Sequence, residues 1–420
     1  MLSFRQDKGE KLKRLYFIFL IPIFMWSQNL DELVELSIKN RMVDSYNYEL
    51  DSLKKEYESV KSGYLPKVDI GASYSQTNRE TASVPDKSSN AYATASFVIY
   101  DGGKRSDTFK SYDSSIKSSE ESIIAIKNQI ALDVTTYYYN YLSLVSTKEA
   151  KQKEIEQLNA QYKRLKKYLD VGTTTEDELE KIISRVESAN VNLHEIELQL
   201  QTILHNLNYI TGVDVSIEEG SFINEFEQLP TQSNRPDIKS LEYNLDTLLT
   251  NANKEKSGYL PTINLENTYT KYDLDYKNSS YDSNLNDQNI ASINLTWNIF
   301  SFGETKNKYE SQYKKYLSQK SRYMYEKNKA NVDLQLALKS YDIAKLKVKS
   351  AQSGLKAANS AYEVIKSKYE NGLIDNVAYL ESLTEKYNAI SVLKAAQYDI
   401  EIKKANVVYN SGNNLKEYIK

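Results

Sequence analysis

The sequence predicts a mostly α-helical protein built from two tandem repeats, each with a small β part suited to a membrane. Three observations lead to this fold class. The hexapeptide Lys-Ser-Gly-Tyr-Leu-Pro occurs at residues 61–66 and again at 256–261. Each half contains a long stretch of helical periodicity with few helix-breaking residues. Each half also contains two segments of about ten residues in which apolar and polar side chains alternate.

The repeat extends well beyond the hexapeptide. Further landmarks fall at matching positions, namely Asn40-Arg41 with Asn234-Arg235, Gly103 with Gly303, Gly172 with Gly372 and Gly212 with Gly412. The offset is 195 residues at the hexapeptide and 200 at the later glycines. We therefore expect about five extra residues between Pro261 and Gly303, in a loop, because loops tolerate insertions. Chance similarity is the alternative, but it would not preserve order and spacing together.

Composition excludes several classes of function. A net charge of -3 gives no basic footprint for nucleic acid. The absence of cysteine excludes disulfides, thiolate metal sites and a cysteine nucleophile. The two histidines, His194 and His205, lie eleven residues apart, whereas a helical metal site needs a spacing of about three or four. No glycine-rich phosphate loop is present, so we predict no cofactor, no metal and no enzymatic activity.

Residues 1–27 have the order of a secretory signal peptide. Basic residues precede an apolar run from Leu15 to Trp26, and Ser27-Gln28 follows as a cleavage point. This run is shorter than the roughly 20 residues that a transmembrane helix needs. An uncleaved anchor or a buried helix is the alternative. No later apolar segment reaches about 18 residues, so we expect no membrane-spanning helix in the rest of the chain.

The first repeat, residues 28–212, opens with helical periodicity to residue 62 and a break at Asn40-Arg41. Gly63 and Pro66 end this helix. Two strands are predicted next, at 67–76 and 91–100, separated by a polar loop. After a linker at 213–233, the second repeat, residues 234–412, follows the same order, and residues 413–420 form a tail. Its strands are predicted at 262–271 and 289–300.

The predicted strands have the length of tilted strands that cross a bilayer. Four strands cannot close a barrel, because closed barrels start at about eight strands. Copies of the chain would therefore share one barrel. Two copies would give eight strands and a filled interior, whereas three would give twelve and room for a passage. The alternative is a pair of amphipathic β-hairpins packed on a soluble core.

Long helices follow the strands in both halves. Residues 104–171 contain no Gly or Pro, and apolar residues recur at steps of three and four, which is typical of a coiled-coil seam. The matching segment, 304–371, is interrupted only by Gly354. Gly172 and Gly372 are predicted to end these helices, and each half then continues as a second helix to Gly212 or Gly412, forming a hairpin. Thr175 with Glu178 has capping-box spacing, and Asp375 is the predicted N-cap of the last helix.

Tyrosine is abundant, with 35 residues, and two interpretations apply. The cluster at residues 137–141 is expected to fill a helical seam while its hydroxyls reach polar partners. Other aromatic residues lie at predicted strand ends, where a membrane-interface girdle would form. These interfacial candidates are Tyr64, Tyr100, Tyr259 and Trp297.

The chain resembles the TolC-like outer-membrane efflux proteins. The resemblance rests on the signal peptide, the tandem order of elements, the Gly-Tyr-Leu-Pro starts of the first and third strands, the Asp101-Gly102-Gly103 and Ser301-Phe302-Gly303 strand exits, and the tip glycines. It implies a homotrimer in the outer membrane of a Gram-negative bacterium, with a shared twelve-stranded β-barrel in lipid and an α-barrel of helical hairpins across the periplasm. It also implies an exit duct of a tripartite pump or type I secretion system, docked to a periplasmic adaptor and an inner-membrane transporter.

The resemblance also implies a gate at the periplasmic hairpin tips. Some members carry two carboxylates one helical turn apart after the second tip glycine, and here those positions are Ala378 and Glu381. Only half of that pattern is present, which argues against a strong cation-binding ring. The gate candidates are Gly172, Glu176, Asp177, Glu180, Gly372, Asp375 and Glu381. Glu176, Asp177 and Glu180 are equally typical of a helix first turn that favours acidic residues.

A second hypothesis is a periplasmic coiled-coil adaptor or structural envelope protein without a pore. Adaptors usually present one helical hairpin beside small β domains. The duplicated architecture and the bilayer-length strand pairs favour a channel instead.

Overall fold

The computed structural model describes residues 27–226, 228–281 and 285–420. The predicted signal peptide lies outside the described residues, apart from Ser27. In chain order the helices and strands are α1 (Leu30–Ser37), α2 (Arg41–Gly63), β1 (Lys67–Gln76), β2 (Lys87–Tyr100), α3 (Lys104–Asp170), α4 (Glu176–Thr211), α5 (Pro236–Lys254), β3 (Thr262–Asp275), β4 (Asp287–Thr296), α6 (Glu304–Glu370) and α7 (Asn376–Ser411). None of the helices in these described ranges combines the length and apolarity needed to cross a membrane.

The repeated Asn-Arg pair marks the start of a helix in both halves. In the first half the Asn40 side chain caps α2 by accepting a hydrogen bond from the Val43 amide at 2.9 Å. In the second half Arg235 takes the N-cap position of α5, and Pro236 follows at the first helical position, where the missing amide has no cost. The same two residue types therefore start a helix by different means.

The strands form one antiparallel sheet in the order β1-β2-β3-β4. The two repeats meet between β2 and β3, where the hydroxyls of Thr94 and Thr268 lie 2.9 Å apart. The outer edges of β1 and β4 have no strand partner within the described residues. A mostly helical chain with one small sheet confirms the predicted fold class.

One face of the sheet is apolar and exposed. The register places Ile70 opposite Ala93, and Leu265 opposite Ile293, on the same face. Ile70 is 85% exposed and Ile293 is 69% exposed. The other face carries polar residues such as Asp69 and Thr94, which are paired across β1 and β2. The face that would prefer lipid therefore lies open in a single copy.

Four strand bounds differ from the predicted ones. β2 begins at Lys87 rather than 91 because Lys87 pairs on both sides, with Gln76 and Asp275. That pairing also carries β3 past its predicted end at 271. β4 runs from residue 287 to 296 rather than from 289 to 300, because Thr296 pairs with the first residue of β3 and no strand continues beyond it.

Most of the five extra residues expected between Pro261 and Gly303 lie in a strand rather than in a loop. β3 has 14 residues where β1 has 10. A loop does connect β3 to β4, as expected, but it is only slightly longer than its counterpart in the first half.

The long helices have matched lengths in the two halves. α3 and α6 each contain 67 residues, and α4 and α7 each contain 36. At a rise of about 1.5 Å per residue the longer pair spans about 100 Å. The functional parts of the chain therefore lie far apart, with the sheet at one end of α3 and α6 and the hairpin tips at the other.

A compact core surrounds the middle of α3, where α1, the linker and the C-terminal tail pack together. Tyr138 and Tyr139 are fully buried there and donate hydrogen bonds to linker carbonyls, at 2.7 Å to Glu218 and 3.3 Å to Ser221. Burial raises the pKa of both tyrosines, so they remain donors at physiological pH. The linker also pairs with the tail, since Phe222 and Lys420 exchange two backbone hydrogen bonds of 2.9 Å.

Candidate functional site

Both hairpin tips turn on a glycine in the left-handed backbone region. Gly172 has a φ of 76° and Gly372 a φ of 70°. At each tip the next amide closes back onto the helix, from Thr173 to the Tyr168 carbonyl at 2.8 Å and from Leu373 to the Lys368 carbonyl at 2.9 Å. This is the Schellman arrangement, and it allows an immediate reversal into α4 or α7.

A polar cluster joins the two hairpins just behind the tips. We name it the tip clasp, and it takes one side chain from each long helix: Gln161 of α3, Glu178 of α4, Tyr369 of α6 and Asn376 of α7. The Gln161 amide donates to Tyr369 Oη and, at 3.0 Å, to Asn376 Oδ1. The Asn376 amide donates to Glu178 Oε2 at 3.4 Å. Gln161 and Asn376 are each 6% exposed, so their hydrogen bonds are made away from bulk water.

Apolar packing surrounds the tip clasp. Side chains from the two hairpins form one buried cluster, made of Leu158, Leu165, Ile182, Val186, Ala189, Tyr362, Tyr379, Leu380 and Leu383. Farther from the tips, buried Glu154 of α3 accepts a hydrogen bond from Thr384 of α7 at 2.9 Å and pairs with Lys151 at 2.6 Å. The two hairpins of one chain are therefore held together by packing and by buried polar contacts.

The predicted acidic residues of the first tip lie on the exposed first turns of α4. Asp177 pairs with Lys181 at 3.0 Å, and the Thr175 hydroxyl and Lys181 lower the pKa of Asp177. The capping box predicted for Thr175 and Glu178 is wrong, because the Thr175 side chain makes no cap hydrogen bond. The Glu178 carboxylate instead contacts Lys181 at 2.8 Å and Asn376.

The second tip presents a different set of acidic groups. Asp375 caps α7, with its carboxylate accepting from the Ala378 amide at 2.9 Å. Glu381 lies one turn farther on, exposed, and forms no ion pair with any described residue. The same holds for Glu176 and Glu180 on α4. Glu176, Glu180 and Glu381 are therefore exposed tip carboxylates without an ion pair in the described part of the chain.

The four interfacial aromatic candidates lie at the helical end of the sheet. Tyr100, Tyr259 and Trp297 are 40%, 51% and 54% exposed. The Trp297 indole donates to the Tyr259 carbonyl at 3.1 Å, which brings these two residues together. Tyr64 instead packs on α3, with the Arg105 guanidinium 4.8 Å from its ring centre.

Sequence reasoning missed the tip clasp, although a signal for it exists. Asn376 shares a helical stripe with Tyr379, Leu380 and Leu383, at steps of three and four. Gln161 lies between Leu158 and Leu165 in the same way. A polar residue inside an apolar stripe has to find a buried partner, but its partner on another helix is visible only in the fold.

Comparison with known proteins decides the family. The family model described as outer membrane efflux protein matches residues 34–213 and 231–412, one range in each half of the chain. The chain belongs to the outer membrane efflux protein family. This membership confirms the resemblance inferred from the sequence, together with the outer-membrane location, the reach into the periplasm and the non-enzymatic efflux role. Comparison with the sequences of characterised proteins gives no significant match.

Solved structures share the fold of this efflux protein at low sequence identity. The CmeC outer membrane channel of Campylobacter jejuni is 20% identical with a TM-score of 0.82, over 92% of this chain and 86% of that one. The outer membrane protein VceC of Vibrio cholerae is 14% identical with a TM-score of 0.81, over 92% and 96%. The open state of the MtrE outer membrane channel of Neisseria gonorrhoeae is 15% identical with a TM-score of 0.74, over 92% and 89%.

Proposed function

We propose that this efflux protein is a homotrimer in which three sheets close one twelve-stranded barrel and the helical hairpins continue its bore. The observation that carries the proposal is the sheet itself, which has an exposed apolar face and, among residues 27–226, 228–281 and 285–420, two edges without a strand partner. A sheet cannot remain open in lipid, because unpaired backbone groups cost several kcal/mol each there. Pairing β4 of one copy with β1 of the next removes both edges.

The number of copies follows from the space that a duct requires. A barrel of about eight strands is filled by its own side chains, whereas larger barrels enclose a channel. Three copies are the smallest assembly of this sheet that leaves a passage. The helical part supports the same assembly, because a groove of 870 Å³ runs along α6 and α7. Ile343, Leu346 and Val392 line it and are 54–64% exposed, and the hairpin of a neighbouring copy would cover them.

The duct would serve as the exit of a tripartite efflux pump or a type I secretion system. The tips are the surfaces available for a periplasmic adaptor, which in turn engages an inner-membrane transporter. An apolar side chain lies at each tip, with Val171 70% exposed and Leu373 73% exposed. Exposed apolar residues of this kind are typical of a surface that a partner protein covers.

Gating would take place at the same tips. The tip clasp ties the two hairpins of each copy together, so their separation requires breaking buried hydrogen bonds. Residues Gly172 and Gly372 set the reversals, and Asp375 caps the helix that carries Glu381. The channel would be passive, with its tips opened by the partner complex.

The proposal is tested by purification from outer membranes in detergent, followed by native mass measurement and planar bilayer recording. We expect a species of three chains that shows heat-modifiable gel mobility and conducts ions. A protein recovered as a soluble monomer from the periplasmic fraction would contradict the proposal, as would a trimer that never conducts.

A charge substitution tests whether Glu381 lies at the periplasmic opening formed by the hairpin tips. Coulomb attraction between unit charges 4 Å apart in water is about 1 kcal/mol, and a trimer would present three copies of Glu381. We expect Glu381→Gln to weaken block by divalent cations by about tenfold, equivalent to ~1.4 kcal/mol. Asp177→Asn is the matched control and should have a smaller effect, because Lys181 already offsets that carboxylate. A Glu381→Gln variant that still assembles and is blocked by divalent cations as strongly as the unsubstituted channel would contradict the assignment.

A further inference from the structure

The junction between β4 and α6 contains an exposed aromatic residue in an unfavourable backbone conformation. Phe302 has a φ of 51° and is 90% exposed. Left-handed backbone costs a residue with a side chain about 1–2 kcal/mol. Within the described residues its one aromatic contact is Phe300, whose ring centre lies 4.5 Å away and which is itself 72% exposed. An exposed and strained aromatic residue calls for a partner.

The equivalent junction of the first half, between β2 and α3, does have a partner. Gly102 occupies the matching position with a φ of 68°. A β-carbon placed there would lie 2.8 Å from the Ser257 carbonyl oxygen and 3.0 Å from Leu260 Cβ. The exit of the first half is thus packed directly against the segment that leads into β3 of the second half.

Because the two halves are repeats, the equivalent contact of the second half would be made between two chains. Ser257 and Leu260 belong to the second hexapeptide, and their counterparts in the first are Ser62 and Leu65. If β4 pairs with β1 of the next copy, the exit of the second half meets the first hexapeptide of that copy. Leu65 is 61% exposed and is available for this contact.

We propose that Phe302 is a wedge between copies, packed against the Ser62–Leu65 segment of the neighbouring chain. The inference rests on the trimer of the proposed function and names the residues that form its seam. A phenylalanine would not fit at position 102, because even a β-carbon built there would lie only 2.8 Å from the Ser257 carbonyl oxygen. The gap between position 302 and the Ser62–Leu65 segment of the next copy is therefore wider than the gap beside Gly102 within one copy. The Phe302 ring fills the additional space.

Disulfide trapping tests the wedge, and the chain contains no native cysteine to interfere. A disulfide needs Cβ atoms about 3.5–4.5 Å apart. At the equivalent contact within one chain, a β-carbon built at Gly102 would lie 3.0 Å from Leu260 Cβ, which is slightly less. The double variant Phe302→Cys with Leu65→Cys should therefore lose its monomer band on a non-reducing denaturing gel and form covalent dimers and trimers. Phe302→Cys with Ile70→Cys is the matched control. Ile70 is exposed on β1 but lies five residues beyond Leu65, too far along the strand to reach position 302. It should stay monomeric on that gel.

Two outcomes separate failure of the wedge from failure of the trimer. A native trimer whose Phe302→Cys and Leu65→Cys pair gives only monomer overturns the wedge and leaves the proposed function intact. Absence of a native trimer in the unsubstituted protein overturns both. As a second measurement, Phe302→Cys alone should react with a membrane-impermeant maleimide after unfolding and be protected in the native trimer. Equal reactivity in both states would show that position 302 is not at a seam.

Discussion

Gly412→Ala is expected to prevent the chain from folding, with a loss of more than about 4 kcal/mol, a cost that only a severe structural conflict produces. A β-carbon at Gly412 would lie 2.4 Å from the carbonyl carbon and oxygen of Asn234 and 2.6 Å from the Arg235 amide nitrogen. These are backbone atoms that cannot rotate away. They are also held in place, because the Asn234 amide donates to the Ser411 carbonyl at 2.9 Å.

The repeat supplies a matched control for this substitution. Gly212 ends α4 as Gly412 ends α7, with a φ of 75° against 87°. Nothing lies within 4 Å of a β-carbon at position 212, so Gly212→Ala should cost only about 1–2 kcal/mol for its left-handed backbone. Yield from outer membranes measures both variants, and the urea midpoint of the purified protein measures the smaller loss expected for Gly212→Ala. Equal losses of yield would mean that the left-handed backbone alone, and not the contact with Asn234 and Arg235, explains the effect.

Asn376→Ala is expected to raise the ratio of open to closed channels by about 30-fold, equivalent to ~2 kcal/mol. The substitution leaves the Glu178 carboxylate without its amide donor and removes an acceptor from Gln161, both inside the tip clasp. Breaking a buried hydrogen bond on one side costs more than the bond itself contributes, because the remaining group stays desolvated. Single-channel recording gives the open probability.

Gln397→Ala provides the control for the tip clasp. Gln397 lies on the same helix but is exposed and does not line the groove along α6 and α7, so its removal should leave the open probability unchanged. Native mass measurement establishes that both variants assemble. If the two variants conduct alike, the tip clasp does not hold the channel closed.

The sequence predicted the features that depend on local chemistry and on the repeat. Gly172 and Gly372 could be placed at hairpin tips because each follows a long helical stripe. Alternating residues such as Val68 and Ile70 indicated strands with one apolar face. These inferences need only the neighbouring residues, so they do not depend on how distant segments pack.

Features set by distant contacts could not be predicted. Gly212 and Gly412 are equivalent in sequence, yet only Gly412 of the two is covered by the backbone of Asn234 and Arg235. The end of β4 depends on where β3 begins, and Glu178 leaves its predicted cap because Asn376 offers a partner on another helix. Three-dimensional neighbours, which a repeat pattern does not encode, decided each of these cases.

The equal lengths of the paired helices constrain how this family can change. Loss of seven residues from α3 alone would make the first hairpin about 10 Å shorter than the second, at 1.5 Å per residue. The two tips of each copy would then end at different heights, and the residues of the tip clasp would no longer face one another. A compensating deletion in α6 would restore a level rim. Adaptation to a thicker or thinner periplasm should therefore proceed by coupled insertions or deletions in both halves, and relatives of different height should differ by the same number of residues in each hairpin.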